Sequence, residues 1–304
     1  MKNKNSKFKI PSKTSRLRAL GNISNLPDDD TLKKVLKNAE NFHNPIYAPE
    51  EDDWLSTQKE DGQTFNKFLS DRYIYNLISI NRNIIYINPL QEMPQQFLDN
   101  LFLYCQSFFY PMKVKLMNIV SLQSLKVRSR INQESKKIQY NASQINSKSV
   151  KYLPNDAHCL ISILLDDLYP ESSWNYVFGL TTIEDRVAVF SFARFSSSFG
   201  KKNETINFDN FLLYCSCSTL THEICHTFGI DHCIYYTCLM NGCNNMEEAK
   251  KQTLYECPVC LRKLHYSIGF DILERYKKML NVTKIFGGHF DSASKWYENR
   301  LKSI

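Results

Sequence analysis

The segment Thr221-His222-Glu223-Ile224-Cys225-His226-Thr227-Phe228-Gly229-Ile230-Asp231-His232 constrains this chain more than any other. Histidines four apart on a helix share one face, so His222 and His226 can reach a common metal. Glu223 follows the first of them, where its carboxylate can meet a metal-bound water without ligating the metal. Glycine accepts the left-handed conformation that ends a helix and turns the chain. Gly229 therefore predicts a helix-ending turn that returns His232 to the same ion. A catalytic zinc takes three protein ligands at about 2.0–2.1 Å from imidazole nitrogen and keeps one position open. The pattern predicts a catalytic zinc on His222, His226 and His232, with Glu223 as general base in metal-assisted hydrolysis. The competing reading is a pair of satisfied helix histidines with Gly229 as a plain cap.

A second constellation follows at once. Eight of the ten cysteines fall between Cys215 and Cys260. Cys233 and Cys238, then Cys257 and Cys260 in a CxxC, can give four thiolates to a closed, tetrahedral structural zinc. That predicts two zinc ions per chain. A redox CxxC or free thiols are the alternatives. Cys243 is a possible substitute ligand. Cys215 and Cys217 suit ordinary thiols, Cys225 points away from the metal, and Cys105 and Cys159 suit buried thiols.

Composition adds limits. At 304 residues and 43% hydrophobic content, the chain can build its own core. The net charge of +7 is carried by Lys2, Lys4, Lys7, Lys9, Lys13, Arg16 and Arg18, so the rest of the chain is balanced. A body without a basic, aromatic-interleaved patch disfavours nucleic acid. No apolar run spans a bilayer and no secretory signal is visible, so a membrane partner is not expected and the cytosol or nucleus is. The expected state is a monomer acting on a peptide or protein substrate.

Residues 1–30 read as a basic disordered tail and 31–80 as an extension that packs on the core. Residues 81–304 read as the catalytic domain, with an N-terminal subdomain to about 229 and a C-terminal one from about 230. Apolar runs and spacing predict helices over 31–43, 93–108 and 218–229, and strands over 84–87, 114–117 and 159–165. A surface helix is expected near 138–150, with further helices over 262–281 and 292–302. Residues 186–195 alternate like a strand. It is either a sheet edge on which an extended peptide could pair or a core strand. Asp166, Asp167, Trp174 and Arg194 suggest no role beyond solvated loop and packing.

The run His232-Cys233-Ile234-Tyr235-Tyr236-Thr237-Cys238-Leu239-Met240, with Cys257 and Cys260 behind it, resembles the archaemetzincins. So do Asp167-Leu168-Tyr169-Pro170, the stretch from Trp174 to Leu180, and the Val187 to Arg194 strand. The resemblance covers roughly residues 82–284. It implies an α/β (α+β) metzincin-like zincin: a mixed twisted sheet, an active-site helix, and a smaller helical C-terminal subdomain stapled by the four-cysteine zinc. It also implies Met240 as the methionine turn and peptidase activity, with aminopeptidase action in parts of the family. Some other metzincins carry a tyrosine two residues past that methionine; Gly242 stands there in this chain. Apart from the resemblance, a zinc-stabilised protein- or nucleic-acid-binding module without chemistry is the alternative to a peptidase. Glu223 weighs against it.

Overall fold

The computed structural model describes residues 8–71, 78–79, 81–201 and 206–304. Four short helices come first: α1 (Lys13–Ala19), α2 (Thr31–Lys37), α3 (Trp54–Thr57) and α4 (Phe65–Ser70). An α/β region follows with β1 (Ile84–Pro89), α5 (Gln95–Phe108), β2 (Lys113–Leu116) and α6 (Leu122–Leu125). It continues through β3 (Ser129–Ile131), β4 (Ile138–Asn141), α7 (Ala142–Ser149), β5 (Ala157–Leu164), β6 (Asp167–Tyr169), β7 (Gly179–Thr182) and β8 (Val187–Ser191). The helix α8 (Asn210–Thr227) then leads to α9 (Met246–Lys251), α10 (Pro258–Ile268), α11 (Ile272–Phe286) and α12 (Asp291–Lys302).

Among the described residues the main sheet has the order β2-β1-β5-β8-β7. Its first four strands are parallel, and β7 closes the edge antiparallel to β8. Every residue of β5 is buried, as the parallel centre of a sheet covered on both faces requires. Ile161, Ile163, Ala188 and Phe190 face one way and pack against α5 and α8. Leu164 and Val189 face a second core with Ala142 and Ile145 of α7. A smaller sheet, β3-β4-β6, stands beside it.

The helix α8 is buried nearly all round, which marks it as a core helix rather than an amphipathic surface one. Asp209 caps its start by accepting from the Leu212 N–H at 2.9 Å. Its end is fixed by His158 of β5. That ring stacks on Phe228 at 4.0 Å between centroids, and its Nε2 bonds the Thr227 hydroxyl at 3.1 Å.

Several expectations need correction. Residues 8–30 do not form a disordered tail. Ala19 and Leu20 are buried, and Arg16 pairs with both oxygens of Glu40 at 3.1 and 2.8 Å. Of the cations that suggest solvation, Arg16 is buried and paired, Lys9, Lys13 and Arg18 are exposed, and Lys2, Lys4 and Lys7 lie outside the described residues. Residues 138–150 are not one surface helix: β4 comes first, and α7 buries Ala142 and Ile145 in the second core. Of the two readings open for residues 186–195, the core strand holds: β8 is internal because β7 pairs along its outer side. The helix expected over 262–281 is two. Gly269, at φ 73°, ends α10 in the left-handed region before α11 begins. No helix among the described residues is long and apolar enough to cross a membrane.

His43 lies within a cage of Trp296, Tyr255 and Tyr236, and neither ring nitrogen has a hydrogen-bond partner. Burial, helped by Arg300, pushes its pKa down to about 3. The unfolded chain takes up this proton near pH 6.5 while the folded chain does not. Unfolding is therefore favoured progressively as pH falls below 6.5, and the extra penalty stops growing near 3. His43→Phe removes this term without stranding a partner. Urea titrations should show the variant gaining on the wild type by up to about 1.4 kcal/mol per pH unit in that window. A difference independent of pH would contradict the assignment.

Candidate functional site

The three histidines converge. His222, His226 and His232 each bring a ring nitrogen within 4.8 Å of the others. His222 and His226 sit on the last turn and a half of α8, as their four-residue spacing predicts. Gly229 has φ 80°, a backbone that other residues adopt only with strain, and it turns the chain so that His232 returns.

Each ring is held by its Nδ1. That of His222 lies 2.9 Å from the Leu239 carbonyl, that of His226 2.6 Å from the Ile230 carbonyl, and that of His232 2.9 Å from Glu60 Oε1. A carbonyl can only accept, so Nδ1 of His222 and His226 carries the proton and Nε2 is a bare lone pair. The carboxylate of Glu60 imposes the same tautomer on His232. The Nε2 atoms of His222 and His226 are 2.9 Å apart with no proton between them. Facing lone pairs repel unless a cation sits among them, and an all-imidazole donor set with one open side suits zinc. Burial, reinforced by His232, pushes the His222 pKa down to about 3, and burial also holds His226 well below its usual range. Neutral imidazole, the metal-binding form, is thus the resting state.

Glu223 is buried beside them, and burial pushes its carboxyl up to about 7 against the opposing effect of the Thr181 hydroxyl. Thr181 Oγ1 stands 2.6 Å from Glu223 Oε2 and 3.1 Å from its carbonyl oxygen. Gly179, two residues earlier on the same edge strand, leaves room for this carboxylate: a Cβ there would fall 2.4 Å from Glu223 Oε1. Thr181 and Gly179 carry no sequence signal for this role, because nothing local to either points at a glutamate over forty positions away.

A cleft of about 530 Å³ opens over the site, with Glu223, His226 and His232 in its floor. The edge strand contributes Gly179, Leu180 and Thr181 to one wall, and Trp54, Glu60 and Asp231 line the cleft too. Trp174 and Glu171 line it as well. Arg130 pins the segment that carries Trp174 by donating to the carbonyls of Ser172, Trp174 and Asn175. Of the two defaults for Asp167 and Arg194, solvated loop and packing, packing holds. They form a buried ion pair at 2.8 Å, and the Arg194 guanidinium lies 3.5 Å above the Tyr176 ring.

The four cysteines also converge. The sulfurs of Cys233, Cys238, Cys257 and Cys260 lie within 4.8 Å of one another, and all four residues are buried. Backbone N–H groups point at them: Tyr235 at Cys233 Sγ (3.5 Å), Met240 at Cys238 Sγ (3.4 Å) and Cys257 at the same Cys238 Sγ (3.1 Å). Donors aimed at buried sulfur favour thiolate, the form that binds metal. Cys243 stands outside the cluster, its thiol donating to the Asn245 carbonyl at 3.1 Å. Cys215, Cys217 and Cys225 are buried outside it as well. Met240 is fully buried in the turn just past Leu239, whose carbonyl orients His222.

Residues 116–266 match the sequence model of Peptidase family M54. Archaemetzincin-2 of Rattus norvegicus is 35% identical over 277 residues, covering 82% of this chain and 77% of that one. Archaemetzincin-2 of Homo sapiens is 35% identical over 284 residues, covering 84% and 79%. Among solved structures, archaemetzincin from Methanopyrus kandleri aligns with a TM-score of 0.49 at 20% identity, over 64% of this chain and 99% of that one. A relative 35% identical across more than three quarters of its own length, with the two ligand clusters in place, settles the assignment: this chain belongs to the archaemetzincin family of metallopeptidases.

Proposed function

We propose that the chain hydrolyses peptide bonds with a zinc ion held by His222, His226 and His232 and Glu223 as general base, and that Cys233, Cys238, Cys257 and Cys260 hold a second, structural zinc. The observation that carries this is the bare, converging set of Nε2 atoms beside a buried carboxylate that does not bond any of the three rings. Zinc supplies Lewis acidity there, making water a nucleophile near neutral pH and polarising a peptide carbonyl. Glu223 accepts the proton of the attacking water on a carboxylate oxygen and returns it to the departing amine. Thr181 keeps the carboxylate aimed by bonding Oε2. Gly179 allows it to lie against the strand edge. The edge strand β7, rather than its internal neighbour β8, offers its backbone to an extended peptide.

The acidic residues Glu171 and Asp231 line the same cleft, which favours substrates that present a free amino terminus. Aminopeptidase action is thus part of the proposal, and it is separable from the chemistry. Ten cysteines with no disulfide among them, four of them clustered, suit a reducing compartment, which keeps the cytosol or nucleus as the proposed location.

Elemental analysis should give two zinc ions per chain, one for each cluster, and a single ion after His226→Ala or Cys257→Ala. Glu223→Ala should keep both ions and lose roughly 10²–10⁴-fold in peptide-library cleavage, the usual weight of a general base. Two ions with no cleavage by the wild-type protein would favour a binding module instead. Cleavage of free peptides but not of their N-acetylated forms identifies an aminopeptidase.

A milder variant tests the aim of the carboxylate. Thr181→Val should lower kcat roughly tenfold with KM little changed, the effect of one hydrogen bond to a charged group. An unchanged kcat would remove Thr181 from the machinery.

A further inference from the structure

We propose that Glu60 is a positioning residue for the histidine metal centre, carried by a strap over residues 53–63 that clasps the chain bearing the third histidine. The inference rests on the zinc reading of that site given above, and it assigns a role to a part of the chain far outside the motif.

The three rings are not held alike. His222 and His226 stand on α8 and donate Nδ1–H to the backbone carbonyls of Leu239 and Ile230, 17 and 4 residues further along the chain. His232 stands beyond the helix, after a glycine turn, and its Nδ1 instead meets a carboxylate 172 residues away in sequence. Glu60 Oε1 lies 2.9 Å from His232 Nδ1 and accepts from Trp54 Nε1 at 2.8 Å. A carboxylate behind a ligating imidazole fixes the tautomer, orients the ring and strengthens the nitrogen that faces the metal. Both partners are about four-fifths buried, with side-chain exposures of 21% and 22%, so the contact is only partly screened by water.

The strap is itself anchored at three points on the segment that carries His232. At one end the Trp54 N–H donates to the Glu248 carboxylate at 3.0 Å, and the same carboxylate receives the Asn244 N–H at 2.7 Å. In the middle, the Trp54 indole meets the His232 ring edge-on at 4.9 Å and fills the space over Gly242. A Cβ at position 242 would come within 2.4 Å of it. At the far end Gln63 donates to the Gly229 carbonyl at 2.9 Å, and its Oε1 accepts from the Asp231 N–H at 3.2 Å. Lys263 holds that same oxygen at 2.8 Å. The strap therefore grips both sides of His232, with Glu60 placed on the ring itself.

The test compares full-length wild type with Glu60→Ala and Glu60→Gln. Zinc affinity is read by competition with a chromophoric chelator, and the visible spectrum is read after cobalt replaces zinc. Glu60→Ala should weaken the histidine-held ion about 10–100-fold, leave the cysteine-held ion unchanged and shift the cobalt bands. Glu60→Gln keeps an oxygen acceptor without the charge and should lose affinity only several-fold. A strap that served folding alone would move neither the cobalt bands nor the affinity of one ion selectively. Wild-type affinity and an unshifted spectrum in Glu60→Gln overturn the proposal, and that variant decides if Glu60→Ala does not fold. A wild-type protein that holds no metal on its histidines overturns the parent reading as well, and this is seen without any variant.

Discussion

Three imidazole nitrogens without protons, turned toward one point, set the demands that the surrounding chain meets. Two of them stand 2.9 Å apart, a spacing that lone pairs tolerate only around a cation. Holding them there requires an acceptor behind every ring. The acceptors come from three separate stretches: the Leu239 carbonyl, the Ile230 carbonyl and Glu60. The orientation is therefore a property of the tertiary fold. Rings fixed in advance lose little further freedom when a metal arrives.

The cysteine cluster serves the same end by another route. Cys233 follows His232 directly, and its N–H donates to the Met240 carbonyl at 2.7 Å. Asn241 closes the loop: its Nδ2 donates to the Cys233 and Tyr236 carbonyls, and its Oδ1 accepts from the Cys238 N–H. Leu239, which orients His222, and Cys233, which follows His232, thus belong to one knot. A structural zinc contributes on the order of 10–16 kcal/mol, as much as the whole stability of an ordinary domain. An ion on the four thiolates would make the geometry of the third histidine insensitive to loop motion. Burying Glu256 against Arg275 at 2.5 Å beside Cys257 further ties this knot to α11.

The residues that read clearly in the sequence are those whose function needs a fixed local spacing. Two histidines one helical turn apart, a glycine that must be left-handed and paired cysteines all declare themselves within a dozen positions. The parallel strands β1 and β5 read clearly too, because burial on both faces demands an unbroken apolar run. What was not legible depends on contacts between distant segments. Glu60, Thr181 and Gly179 are an ordinary glutamate, threonine and glycine until the chain folds. The basic N-terminus misled for a related reason: Arg16 signals solvent until Glu40 is beside it. The Asp167–Arg194 pair was hidden because its partners lie on different strands and turns. The break at Gly269 was a matter of local chemistry, overridden by helical spacing that resumes in phase beyond it.

The choice of edge strand carries the chemistry further. Along β7 successive side chains alternate between faces, so Gly179 and Thr181 turn toward Glu223 while Leu180 packs into the second core around α7. That alternation leaves one workable register. A slip of one residue would drive Leu180 against the carboxylate, remove its hydroxyl partner and expose an apolar side chain in exchange. The register is held from behind by Asn146 of α7, which donates to the Leu180 carbonyl at 2.9 Å and lies 3.1 Å from the Thr182 hydroxyl. A helix on the far side of the sheet thereby determines how the glutamate beside the histidines is presented. In the proposed mechanism the strand that walls the cleft is also the strand that aims the base, so substrate seated along it and the carboxylate beneath would share a single reference frame.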